Sequence, residues 1–261
     1  MPSTYDLGET PRRELHIFYI LDTSGSMSGT PIATLNRAVS NTIDQIKQQA
    51  DSNADALIKI AVMEFNSGFK WLQPRGPEEL ADFYWQPLEA GGLTDMGAAL
   101  KELDSKLSRD AFLSSMTGAY LPVIIFMTDG YATDDYKKAL EQIRQNKWFN
   151  RGTKIGFAVG DEADVGMIAE IVGNSEAVIQ TTDLELFARM FRYVSVTSSM
   201  LCSTSRTSAD AVSAGDIVKR AKKEFDMDFE EKEENPDSSD GKEKESTAEP
   251  EEDFFEWENA F

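Results

Sequence analysis

The chain has 261 residues, 41% of them hydrophobic, which is enough for one sizeable α/β domain with a real core and a segment left over. Its 46 acidic against 26 basic residues give a formal net charge of −20. That excludes nucleic acid as a partner and argues against an anionic membrane face, because both need a basic surface.

The polar, acidic start (Met1 to Glu9) lacks the basic stretch and apolar run of a secretory signal, and no run of about 18 apolar residues could span a bilayer. The single cysteine, Cys202, cannot form an internal disulfide, so a reducing, cytoplasmic setting is expected. After an extension over 1–11, residues 12–198 alternate between buried strands and helices. Leu15 to Leu21 is a continuous apolar run, the pattern of a strand buried on both faces. A helix follows with Thr30 as N-cap and Pro31 at its first position, and Ile32, Leu35, Val39, Ile43 and Ile46 form its apolar face. Leu57 to Phe65 is the second strand, and Phe69 to Trp71 a short third.

Thr94 opens a helix whose Met96, Leu100, Leu103 and Leu107 face inward, and Leu121 to Met127 is a second fully apolar strand. Thr133 or Asp134 caps a helix running to about Lys147, and Lys154 to Val159 is the next strand. Asp164 to Val172 is a short helix ended by Gly173, Ala177 to Gln180 a weak last strand, and Asp183 to about Val196 the final helix. This alternation specifies a doubly wound, mostly parallel sheet flanked by helices. Residues 199–223 read as a linker. From Glu224 to Phe261 there are 17 acidic residues against three lysines, a net charge of −14, and such a segment buries too little apolar surface to order itself in isolation.

Three separated segments place small oxygen ligands after buried elements: Asp22-Thr23-Ser24-Gly25-Ser26, the Gly91-Gly92-Leu93-Thr94 turn, and Thr128-Asp129-Gly130. Ligands of a doubly wound sheet bind at the carboxyl ends of strands where the strand order reverses, so if Leu15–Leu21 and Leu121–Met127 are the two central neighbours, Asp22 and Asp129 meet there. Two carboxylates and three hydroxyls, with no His or Cys, suit Mg²⁺ or Mn²⁺.

The Asp22-Thr23-Ser24-Gly25-Ser26 segment resembles the Asp-x-Ser-x-Ser motif of von Willebrand factor A domains, which forms their metal-ion-dependent adhesion site. Thr94 and Asp129-Gly130 fall where that family carries its other two ligand loops, and the resemblance covers residues 12–198. Arg12-Arg13 and the Met27-Ser28-Gly29-Thr30-Pro31-Ile32 continuation are similar to the bacterial TerY-like subgroup. The resemblance implies that Ser24, Ser26 and Thr94 offer hydroxyls to the metal while Asp22 and Asp129 act directly or through water. A free coordination position then takes a Glu or Asp from a partner protein. It also implies a tellurite and stress-response setting, with a PP2C-type phosphatase and a protein kinase as partners. A co-subunit of an AAA-type ATPase (MoxR-like or chelatase-like) is the alternative within the same family.

Blander readings stand beside these. The Asp22–Ser26 turn alone could be a helix-capping loop. A phosphohydrolase of the haloacid-dehalogenase type needs a second Asp where Ser24 stands, which removes its proton shuttle and points away from an enzyme. His16, the only histidine, reads as a core residue. Asp161, Glu162 and Asp164 either shape the rim of the ligand surface or cap a helix; Tyr131, Phe69 and Trp71 are aromatic candidates for contact. In the tail, Phe254, Phe255, Trp257 and Phe261 set among acids read as a partner-docking segment, and the tail's carboxylates could also compete for the metal.

Overall fold

The computed structural model describes residues 12–50, 56–204 and 213–225. The first strand, β1 (Arg13–Asp22), lies at the centre of a mixed sheet because Glu14 to Asp22 are buried on both faces. β2 (Ala56–Asn66), β5 (Val123–Thr128), β6 (Thr153–Val159) and β7 (Val178–Thr181) all run parallel to it, in the order β2-β1-β5-β6-β7. Two short antiparallel strands on β2, β3 (Gly68–Trp71) and β4 (Glu78–Glu79), complete the sheet. The chain thus moves from β1 to one side, then returns to β5 on the other, and the reversal falls between β1 and β5, which is the condition for Asp22 and Asp129 to meet.

Alternate residues of β1 serve two cores. Leu15, Ile17, Tyr19 and Leu21 pack beneath α1 (Thr30–Ala50) and α6 (Leu184–Thr204). Phe18 and Ile20 pack on the other face, under α2 (Met96–Lys106), α3 (Tyr136–Ile143), α4 (Lys147–Arg151) and α5 (Val165–Val172). His16 is buried among that second set, stacked near Phe18, and burial lowers its pKa to about 4. It is a neutral packing residue, as its setting in an apolar strand indicates.

Three local readings change. Thr30 is the first residue of α1, and Gly29, at φ 83°, takes the cap position with its carbonyl accepting from Ala33. The helix expected from 134 to 147 is two helices. Asn146 interrupts it by capping α4 through Trp148 N–H at 2.9 Å while its amide donates to the carbonyls of Asp104 and Leu107.

The largest change concerns 199–223, read as a linker. α6 continues to Thr204, and α7 (Ala214–Glu224) packs on it and on β6 and β7. Ser213 caps α7 by accepting from Asp216 N–H, and Ile217, Val218 and Ala221 enter the core under α6. The neighbouring lysines and arginine hide this narrow stripe from any composition window. Ile217→Val should therefore lower unfolding free energy by about 1 kcal/mol in chemical denaturation, against no change for exposed Lys219→Ala. Equal, near-zero effects would return this segment to the status of a linker.

Candidate metal centre

Asp22 ends β1, and the register Leu21 opposite Met127 brings it beside Thr128 at the end of β5. One carboxylate oxygen of Asp22 accepts from Ser24 N–H at 2.7 Å and the other from the Thr128 hydroxyl. That fixes the turn after β1. The Ser24 and Ser26 hydroxyl oxygens lie 3.0 Å apart, and Ser26 donates to Asp129 Oδ1 at 2.8 Å. A continuous hydrogen-bonded chain therefore links Asp22, Ser24, Ser26 and Asp129 across two adjacent strands.

The third loop is tied to the first by backbone alone: Gly25 N–H donates to Gly92 O at 3.0 Å, and Gly91 N–H to Thr23 O at 2.8 Å. Gly92 has φ 85°, and a Cβ there would sit 2.7 Å from Ser67 Oγ, so only glycine lets this loop close. Thr94, buried at its end, has both backbone groups held by Thr133: its N–H donates to Thr133 Oγ1 at 3.0 Å, and its carbonyl accepts from Thr133 N–H at 2.9 Å. Asp134 next to it accepts from Gly97 and Ala98 N–H at 2.8 and 2.9 Å and so caps α2 from a neighbouring loop.

Electrostatics make the site receptive to a cation. Burial pushes the Asp22 carboxyl up to about 6, against the pull of its bonds to Thr128 and Ser24, and nearby Asp129 adds to the rise. Burial also raises Asp129, partly offset by the Ser26 bond, and the charge of Glu162 raises it further. Among the described residues no group of three or more His, Cys, Asp or Glu side chains converges. The donors on hand are two carboxylates and neutral hydroxyls, all oxygen, a set that fits a hard divalent cation.

Residues 16–191 match the von Willebrand factor type A domain. The chain belongs to the von Willebrand factor type A family. Solved structures share its fold: a von Willebrand factor type A protein from Catenulispora acidiphila is 19% identical with a TM-score of 0.53, covering 72% of this chain and 43% of its own. An ArnB paralog from Sulfolobus acidocaldarius is 15% identical at 0.52, covering 69% and 45%. Proximal thread matrix protein 1 from the mussel byssus, with a zinc-occupied MIDAS motif, is 16% identical at 0.50, covering 69% and 47%. The chain thus spans somewhat less than half the length of these relatives. No curated protein matches it.

In this von Willebrand factor type A domain the remaining candidates separate. Tyr131 is 63% exposed beside Asp129-Gly130, and Asp161 and Glu162 are exposed beyond β6. Asp164 caps α5 by accepting from Met167 N–H at 2.8 Å. Trp71 is no contact residue: it is buried, with its indole N–H donating to Glu102 and Phe112 packed edge-on. Phe69 two residues earlier is exposed. Cys202 is partly buried against the α6 core, and burial raises its thiol pKa. Phe254, Phe255, Trp257 and Phe261, and the tail they belong to, lie outside the described residues. Sequence reasoning missed Thr128, Thr133 and Asp134. Thr128 stood in plain view beside Asp129, but its bond to Asp22 depends on pairing between strands.

Proposed function

We propose that this domain is a non-enzymatic, Mg²⁺-dependent protein-binding module that captures an Asp or Glu of a partner protein. The observation that supports it most is the Asp22–Ser24–Ser26–Asp129 chain of hydrogen bonds across β1 and β5. Ser24, Ser26 and Thr94 would offer hydroxyls and Asp129 a carboxylate oxygen, while Asp22 orients Ser24 and Thr128. A bound dication supplies a Lewis-acidic position, and neutral hydroxyl ligands leave that position open to a carboxylate from outside. Mn²⁺ fits the same donors. The zinc in the byssus protein makes Zn²⁺ a necessary comparison.

The finer reading is a cytoplasmic, TerY-like adaptor in a stress response with a PP2C-type phosphatase and a protein kinase as partners. It rests on Arg12-Arg13 and the Met27 to Ile32 continuation, and for the compartment on Cys202 as the single cysteine. Partner capture from a cell extract, with and without EDTA, tests the central claim. Chelation, or Ser24→Ala with Ser26→Ala, should reduce capture by about 100-fold. Undiminished capture of every partner under both conditions would take the metal out of the mechanism.

A further inference from the structure

The edge of the sheet that carries the site is polarised from side to side. On the β2–β3 side it is apolar: Leu93 is 57% exposed and held over the end of β2 by its N–H bond to Ser67 Oγ at 3.0 Å. Phe69, 45% exposed, stands opposite Phe65, which is itself opposite Asp22, so it shares the level of the site. On the β6 side the edge is acidic. Asp161 and Glu162 are exposed, and neither pairs with a cation among the described residues. Their loop is drawn against the site by Asp164 N–H donating to Gly130 O at 3.4 Å.

Spacing turns that polarity into a pattern. Adjacent strands lie about 4.8 Å apart, and the oxygen donors straddle β1 and β5, so the end of β2, where Leu93 sits, and the end of β6 each lie about 7 Å from the site, with Phe69 on β3 about 5 Å farther out. In an extended peptide, side chains at i and i+2 point the same way and stand about 7 Å apart. The two distances match.

We infer that the site reads a short extended segment of a partner in which a carboxylate is flanked two residues away by a large apolar side chain on one side and by Lys or Arg on the other. The apolar side chain lies on Leu93, with Phe69 at its outer margin, the carboxylate goes to the metal, and the cation meets Asp161 and Glu162. The pattern holds for either chain direction, Leu-x-Glu-x-Lys or Lys-x-Glu-x-Leu. The inference rests on the metal-bridged reading above and narrows its partner from any acidic protein to one sequence class. Segments with acids on both sides of the central carboxylate are disfavoured by like-charge repulsion at the β6 side.

Fluorescent synthetic peptides, Gly-Leu-Gly-Glu-Gly-Lys-Gly and its reverse, tested against the full chain by anisotropy in Mg²⁺ and in EDTA, examine this directly. The better of the two should bind about tenfold more tightly than its counterpart with Glu in place of Lys, and about fivefold more tightly than its counterpart with Gly in place of Leu. Asp161→Lys with Glu162→Lys should invert the first preference and leave the second. Equal binding by all these peptides, lost in EDTA, would overturn the inference and leave metal-bridged capture standing. Binding that is unchanged in EDTA, or that persists when the central Glu is replaced by Gln, would overturn both. No binding by the matched peptides at millimolar concentration in Mg²⁺ would also overturn the inference, because the pattern would then lack affinity where it is best satisfied.

Discussion

In EDTA at pH 7.5, Asp22→Asn should be more stable than the unaltered protein by about 2 kcal/mol, and it should lose the further stabilisation expected from Mg²⁺ on the proposed reading. Asp22 is fully buried, and burial places its folded-state pKa at about 6, above the ordinary aspartate value of 3.8. Between those values the folded state holds the proton more firmly than the unfolded one, so metal-free stability falls as pH rises through the window. The cost is complete above pH 6, amounts to about 3 kcal/mol, and is absent below pH 4. An Asn side chain keeps the acceptor for Ser24 N–H, and the Thr128 hydroxyl can turn to accept from the new amide. On the metal-bridged reading proposed above, the ionised carboxylate is kept for the cation at the expense of the metal-free fold, the usual conflict between a functional site and stability. Thermal or chemical unfolding from pH 4 to 8, with and without Mg²⁺, reads both effects. A variant less stable than the parent in EDTA at pH 7.5, or one still stabilised by Mg²⁺, would show that Asp22 is held by its hydrogen bonds alone and owes nothing to a metal.

The parts of this domain that were legible in the sequence are those in which one local signal suffices. β1 and β5 are written as unbroken apolar runs, which only a strand covered on both faces tolerates, whereas their adjacency is set by the strand order of the folded sheet. Two of the three candidate loops are legible because an oxygen-rich segment directly follows such a strand, and the third because its Gly91-Gly92 turn leads into the apolar stripe of α2. Other features were set by what packs against a residue. Phe69 and Trp71 point to the same face of β3, yet Trp71 is covered by Glu102 and Phe112 while Phe69, nearer the sheet edge, is not. α7 has only Ile217, Val218 and Ala221 to mark it, and the helix exists because α6 and β7 offer a surface for them. Asp134 sits where a helix is about to begin and so reads as the cap of that helix. Its carboxylate turns instead to α2, whose own N-cap residue, Asp95, makes no side-chain capping bond.

That displaced cap gives the second large effect. Asp134→Ala should cost about 3 kcal/mol of stability, because one carboxylate serves two backbone N–H groups at the positive end of α2 and both would lose a charged partner. It should also weaken Mg²⁺ binding by about tenfold, although Asp134 is not among the proposed ligands. The coupling runs through its neighbour: Thr133 holds the N–H and carbonyl of Thr94, and Asp134 anchors that same loop to the start of α2 two residues beyond Thr94. Asp134→Asn should fall between, since its amide retains one acceptor and turns a donor toward the other N–H. Gly97→Ala should act on the same clamp from the other side, because a Cβ there would lie 2.8 Å from Asp134 Oδ2 and 2.9 Å from Tyr136 Cα. Chemical denaturation gives the stability term, and the Mg²⁺ concentration dependence of the melting temperature gives the affinity. If stability falls while Mg²⁺ affinity stays at the parent value, Thr94 is positioned by the Gly91–Gly92 loop alone, and the clamp serves only the helix.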